Sequence, residues 1–256
     1  MLVDSHCHLD YFSAEELPGV IARAAESGVG EMVTIGTRLA QAPWQKQVAE
    51  ENPGVWAAIG IHPHNAGEGD LPSPAELISL TDHPKVVAIG ETGLDYFYDK
   101  APRDRQAENF RIHIQAARQT GLPLVIHARD ADDDVAEILR DETGKGAFPF
   151  LLHCFSSTRA LAETGLELGG YLSFSGMLTF PKSQTIRDIA KDVPKDRLLV
   201  ETDSPYLAPV PYRGKKCEPG WTAHTAKMLG ELHGLSPDGI AELTTANFRR
   251  LFSRTA

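Results

Sequence analysis

The stretch LVDSHCHLD, residues 2–10, is a short apolar run that ends in two metal-binding side chains, His6 and His8. Four later segments have the same form, an apolar run followed by a histidine or a carboxylate: VVAIGE (86–91), LVIH (124–127), FLLH (150–153) and LLVETD (198–203). Such runs are typical of buried β-strands, and the carboxyl ends of parallel barrel strands meet at one face. The sequence therefore predicts that these side chains converge.

Strand-like and helix-like segments alternate along the chain. The five runs above are predicted as strands at residues 2–5, 86–90, 124–126, 150–152 and 198–200, and three more at 31–35, 55–60 and 171–174. Strand–helix units joined by right-handed crossovers, over about 250 residues, are typical of a (β/α)8 TIM barrel. We therefore expect an α/β protein of the TIM-barrel class, with residues 1–256 in a single domain.

Composition and charge narrow the class of protein. The net charge of −10 argues against sequence-independent coating of nucleic acid, although bound cations and a local basic patch could still handle a few phosphates. Three cysteines, Cys7, Cys154 and Cys217, are too few for a disulfide framework. No apolar run approaches the roughly 20 residues that cross a bilayer. A cytoplasmic protein is expected, with no membrane or obligate protein partner and a monomer by default.

Several motifs in a fixed order carry a resemblance to a known family. The longest are LVDSHCHLD (2–10), PLVIHARDADDD (123–134) and DRLLVETDSPYLAP (196–209), accompanied by AIGIHPH (58–64) and AIGETGLDY (88–96). Through them the chain resembles the TatD family of metal-dependent hydrolases over its whole length. The resemblance implies a metal-dependent barrel hydrolase with deoxyribonuclease activity.

The resemblance also implies a metal-ligand set: His6, His8, Glu91, His127, His153 and Asp203. Four imidazoles and two carboxylates suffice for two divalent ions, and a carboxylate such as Glu91 can bridge cations about 3.5–4 Å apart. One ion is assigned to both early histidines, Glu91 and Asp203, and the other to Glu91 and the later histidines. The structural alternatives are a hydrogen-bonded histidine pair, an ion-paired glutamate and a capping aspartate.

Four residues are predicted to contact the substrate: His62, His64, Arg129 and Arg213. Arg129 could clamp a phosphate, or could instead form an ion pair with one of the carboxylate ligands. Arg213 belongs to the dense basic loop at residues 212–216, whose alternative is a solvated charged loop. Ser157, Cys217 and Trp221 depart from the family pattern, which leaves substrate specificity open.

The proposed chemistry is exonuclease-like, 3'–5' hydrolysis of DNA by a metal-bridging hydroxide, with Asp203 and Glu91 as the catalytic residues and single-stranded ends as the substrate. Two alternatives remain: an esterase or amidase such as an aminoacyl-tRNA deacylase, and a non-catalytic, metal-stabilised interaction protein. The ions are expected to be Mg²⁺, Mn²⁺ or Zn²⁺, because imidazoles favour the softer cations whereas the family resemblance implies Mg²⁺.

Overall fold

The predicted alternation of strands and helices is present in the computed structural model, which describes residues 1–255. The strands are β1 (Leu2–Cys7), β2 (Val29–Ile35), β3 (Val55–Ile59), β4 (Val86–Asp95), β5 (Leu124–Arg129), β6 (Phe150–Leu152), β7 (Tyr171–Phe174) and β8 (Leu198–Val200). The helices are α1 (Leu17–Glu26), α2 (Ala42–Glu51), α3 (Pro74–Thr81), α4 (Arg103–Thr120), α5 (Asp132–Gly144), α6 (Arg159–Glu167), α7 (Gln184–Asp192), α8 (Thr222–His233) and α9 (Pro237–Leu251). The strands follow one another in the sheet in chain order, which confirms the (β/α)8 TIM-barrel class.

The chain divides into two compact units, and the first consists of Met1–Thr34, Cys154–Ser156 and Leu172–Arg250. In this unit β1 pairs with β2 and β7 pairs with β8, in each case in parallel. A parallel bridge between Cys7 and Ser204 joins the end of β1 to the segment after β8. The carboxyl ends of β1 and β8 therefore lie side by side.

The second unit consists of Ile35–His153, Ser157–Tyr171 and Leu251–Ala256. Its strands β3, β4, β5 and β6 pair in parallel, in that order. All ten residues of β4 are buried, so polar side chains on this strand need internal partners. The carboxyl ends of these four strands, with the residues that follow them, carry the polar side chains of this unit's candidate site.

Three strands extend further at their carboxyl ends than the sequence indicated, and β2 begins two residues earlier, at Val29. β4 continues five residues past the predicted end at Gly90, β5 continues to Arg129, and β1 to Cys7. In β4 the extension is possible because Gly93 has a φ of 134° and pairs with His127. A Cβ at that glycine would lie 2.0 Å from the His127 carbonyl oxygen, so only glycine fits there. None of the helices in the described part of the chain combines the length and apolar character that a bilayer crossing requires.

Candidate metal-binding clusters

The first cluster, His6, His8 and Asp203, lies where β1 and β8 end in the first unit. The Nε2 atoms of the two histidines are 3.3 Å apart, and they lie 3.6 and 3.4 Å from Asp203 Oδ1. A tetrahedral site with ligand bonds of about 2.1 Å has ligand–ligand edges of about 3.4 Å. The three donor atoms are therefore spaced as one face of a metal coordination sphere, and this donor set fits a divalent ion.

Backbone contacts fix the first cluster in place. Asp203 N donates to His6 O at 2.9 Å, and His8 N donates to Ser204 O at 2.8 Å. Asp203 has a φ of 58°, a left-handed conformation that aspartate tolerates better than most residues. Its carboxylate therefore faces both imidazoles of the cluster.

A fully buried acidic side chain, Asp4, supports the same cluster from β1. Asp4 Oδ1 accepts hydrogen bonds from His6 N at 3.2 Å and Thr202 N at 3.0 Å, and its Oδ2 accepts one from Thr202 Oγ1 at 2.6 Å. Burial raises the pKa of Asp4 to about 8. Asp4 thus ties the end of β1 to the residue that precedes Asp203, a role that the sequence reasoning missed.

The second cluster, Glu91, His127 and His153, lies on β4, on β5 and after β6 in the second unit. Glu91 Oε1 is 3.0 Å from His127 Nδ1 and 2.7 Å from His153 Nε2, and these two ring nitrogens are 3.4 Å apart. Glu91 is only 2% exposed, which makes an isolated carboxylate there costly. One carboxylate and two imidazoles within these distances again form a donor set that fits a divalent ion.

His62 lies beside the second cluster, with Nε2 3.4 Å from Glu91 Oε1. Its Nδ1 accepts a hydrogen bond from His64 N at 3.0 Å, so a neutral ring carries its proton on Nε2, facing Glu91. Burial lowers the pKa of His62 to about 4, which keeps the ring neutral. His62 is therefore a donor to Glu91 in this arrangement, and its ring, with Glu91 and His127, also forms a group of donor atoms close enough to hold a metal ion.

Asp95, at the end of β4, orders two histidines at once. Its Oδ2 is 2.8 Å from His64 Nε2 and 3.0 Å from His127 Nε2. Burial alone would raise the pKa of Asp95, but the hydrogen bonds with these histidines outweigh it and hold the pKa below its usual value. For His127, burial alone would lower the pKa, and the hydrogen bonds with Asp95 and Glu91 raise it. Sequence reasoning missed Asp95 because it ended β4 at Gly90, although the motif ETGLD contains it.

A family model described as TatD related DNase matches residues 3–253. The chain belongs to the TatD family of metal-dependent hydrolases. YcfH of Escherichia coli (strain K12), described as an uncharacterized metal-dependent hydrolase, is 43% identical over 98% of this chain and 95% of its own.

Two further TatD relatives bear on fold and activity. A protein of Rahnella sp. (strain Y9602) described as 3'-5' ssDNA/RNA exonuclease TatD is 33% identical, over 93% of this chain and 92% of its own. The crystal structure of YJJV, a TatD homolog from Escherichia coli K12, has a TM-score of 0.91 and 29% identity, with 98% of each chain covered. The predicted family and fold class are thus confirmed, and the role of each individual residue stays a prediction.

Among the predicted TatD substrate contacts, His64 and Arg129 lie near the second cluster. The His64 ring centroid is 4.3 Å from that of His62 and 6.2 Å from that of His127. The Arg129 guanidinium lies over the rings of Phe97 and Tyr98, at 4.1 and 4.8 Å. No salt bridge of Arg129 occurs within residues 1–255, so the alternative of an ion pair with a ligand is not realised.

Two side chains of the basic loop, residues 212–216 of the first unit, are held by contacts with neighbouring groups. The Arg213 guanidinium lies 3.7 Å above the Phe180 ring and donates to Ala208 O at 3.3 Å. Lys216 pairs with Glu16 at 3.2 Å. Trp221 stacks on Tyr212 with ring centroids 4.4 Å apart, so its face on that side is already covered. The stacking on Phe180 positions the Arg213 guanidinium, and the role of Arg213 in substrate binding stays a prediction.

Proposed function

We propose that this TatD-family protein is a divalent-metal-dependent deoxyribonuclease that removes nucleotides from single-stranded DNA in the 3'–5' direction. The observation that carries the proposal is the spacing of the first cluster, whose donor atoms match one face of a metal site. The relative described as 3'-5' ssDNA/RNA exonuclease TatD supports the choice of substrate. Two ions are proposed, each a Mg²⁺, Mn²⁺ or Zn²⁺ ion.

Each cluster would hold one ion. His6, His8 and Asp203 supply the donors of the first cluster, and Glu91, His127 and His153 those of the second. When bound, such ions neutralise charge on phosphate oxygens and increase the acidity of water. This charge neutralisation is usually the largest contribution to catalysis of phosphate chemistry.

The chain's own residues would bind the substrate and move the proton. Asp203, whose side chain is 17% exposed, takes the proton of the attacking water as oxygen adds to phosphorus and the P–O bond to the leaving sugar breaks. The leaving 3' oxygen takes a proton from solvent and becomes the new hydroxyl end of the strand. Arg129 binds a non-bridging phosphate oxygen through its N–H groups. An exposed arginine without an acidic partner favours a phosphate-containing substrate over a small neutral ester.

The test is turnover of end-labelled single-stranded DNA by metal-stripped protein to which each divalent metal is returned separately. Glu91→Ala removes a ligand, and Glu137→Ala makes the same chemical change on the exposed side of α5 as a matched control. The proposal predicts metal-dependent release of mononucleotides that is lost in Glu91→Ala and kept in Glu137→Ala. No cleavage with any metal, in protein that has bound its ions, would overturn it in favour of ester or amide substrates.

A further inference from the structure

Exposed aromatic side chains occur at very few places in residues 1–255, and three of the four lie beside a histidine of one of the candidate sites. Only four are exposed: Tyr11, Phe97, Tyr98 and Tyr206, at 50, 55, 51 and 48%. In the first unit both tyrosines pack edge-on near His8, and in the second unit Tyr98 lies 5.3 Å from His64. Exposed aromatic surface concentrated at a site indicates a binding role.

In the second unit Phe97 and Tyr98 form an aromatic pair that contacts the guanidinium of Arg129. The rings of Phe97 and Tyr98 meet at 4.9 Å, and the Arg129 guanidinium lies over both. Lys100 Nζ is 5.5 Å from the Tyr98 ring. The nearby Arg103, in contrast, is paired with Asp99 at 3.1 Å. The planar guanidinium of Arg129 is thus positioned by the two rings, and its N–H groups form no ion pair with an acidic side chain of residues 1–255.

This group is connected to the second cluster by one side chain. Tyr98 N donates to Asp95 Oδ1 at 2.8 Å, while Asp95 Oδ2 contacts His64 and His127. The positions of the rings and of the candidate ligand His127 are therefore set by the same buried carboxylate. Arg129 and His127 are also two residues apart on β5, so their side chains leave the strand on the same face.

We infer that Phe97, Tyr98 and Arg129 form a nucleotide-binding platform, in which a base stacks on the exposed aromatic surface and Arg129 binds the phosphate. Base–aromatic stacking tolerates any base, and a stacked guanidinium presents a fork that matches phosphate oxygens. Because the chain has a net charge of −10, its surface as a whole does not attract phosphate, and a local positive group such as Arg129 supplies that attraction. The inference rests on the proposed function and adds the subsite that holds the nucleotide.

The experiment measures binding of two ligands to the metal-loaded protein by calorimetry. Thymidine 5'-monophosphate carries a base and a phosphate, and deoxyribose 5-phosphate carries the same phosphate without a base. Phe97→Ala should weaken binding of the nucleotide about tenfold, the loss expected for one base stack, and leave binding of the sugar phosphate within twofold. Arg129→Gln should weaken both ligands by a similar factor, and Arg129→Lys should recover only part of the loss.

Matched controls separate the platform from general effects of charge and folding. Lys46→Gln removes a positive charge from α2 and should change neither affinity, and thermal unfolding should show that each variant is folded. Equal affinity of wild type and Phe97→Ala for the nucleotide would overturn the platform, and so would a wild type that binds neither ligand. DNA cleavage by a protein that fails this binding test keeps the proposed function. Selective nucleotide binding without DNA cleavage keeps the platform and rejects the nuclease.

Discussion

Asp95 Oδ2 lies 3.0 Å from His127 Nε2 at the carboxyl end of β4 and β5. Because the carboxylate is buried and its pKa is held low, it stays ionised and accepts a hydrogen bond from the Nε2–H group, which fixes the tautomer of the ring. The lone pair of His127 is then on Nδ1, which faces Glu91 and His153. A carboxylate behind a histidine in this way is the arrangement that orients imidazole ligands towards metals.

Asp95→Asn should therefore weaken metal binding without unfolding the protein. An amide accepts the hydrogen bond from Nε2–H less strongly than a carboxylate, so the His127 tautomer is no longer fixed, and metal affinity should fall roughly 10- to 100-fold. The measurement is competition with a chelator of known affinity at constant pH. Asp99→Asn, at an exposed aspartate that pairs with Arg103, is the control and should bind metal as wild type does. Unchanged affinity in Asp95→Asn would remove Asp95 from the site.

Asp203→Asn should reduce turnover much more than substrate binding. Asparagine tolerates the left-handed backbone at this position, with φ of 58°, so the fold should be preserved. It cannot take a proton from water, and loss of such a group typically lowers kcat about 10²- to 10⁴-fold. Steady-state kinetics on DNA would show the fall in kcat with little change in KM. A kcat near that of wild type would show that another group takes the proton.

Gly93→Ala should destabilise the second unit. The new Cβ would meet the His127 carbonyl oxygen at 2.0 Å, and the φ of 134° is strained for any residue with a Cβ. A cost of about 2 kcal/mol or more in the free energy of unfolding is expected from such combined strain. Denaturant unfolding would measure it, with Gly144→Ala as the control, since no atom lies within 4 Å of a Cβ there. Equal midpoints for the two variants would contradict the close approach of β4 and β5.

The sequence was sufficient for the fold class because the apolar runs alternate with amphipathic helices through the whole chain. It was also sufficient to select side chains that the structure groups: Asp203 with both early histidines, and Glu91 with His127 and His153. Asp95 was not found, because β4 extends past Gly90 through glycines that usually end a strand. Tertiary pairing of Gly93 with His127 overrides that local signal.

The contacts of the polar side chains that α4 buries could not be read from the sequence, and His113 is the clearest case. The His113 ring is fully buried, accepts a hydrogen bond from Ile61 N at 3.0 Å and donates one to Asn109 O at 2.8 Å. Asn109 Nδ2 in turn donates to Ile61 O at 2.8 Å. A sequence pattern shows which face of a helix is polar, but it does not show that side chains on that face hydrogen-bond to the backbone of another segment. These two side chains hold the residue that precedes His62.

His113 should make the protein less stable in acid. Burial lowers its pKa to about 4 from an ordinary value of 6.5, so between these pH values the unfolded chain binds a proton that the folded protein does not. Stability should therefore decrease as the pH falls from about 6.5 to 4, by up to about 3 kcal/mol from this group. His113→Gln removes the titration and should flatten that part of the pH profile in denaturant unfolding, even if it lowers stability at neutral pH.

His83→Gln, at a partly exposed histidine that pairs with Glu50, is the control and should keep the wild-type slope. If the His113→Gln profile is as steep as the wild-type profile, the acid sensitivity lies elsewhere, and the buried His113 is not held neutral by its surroundings.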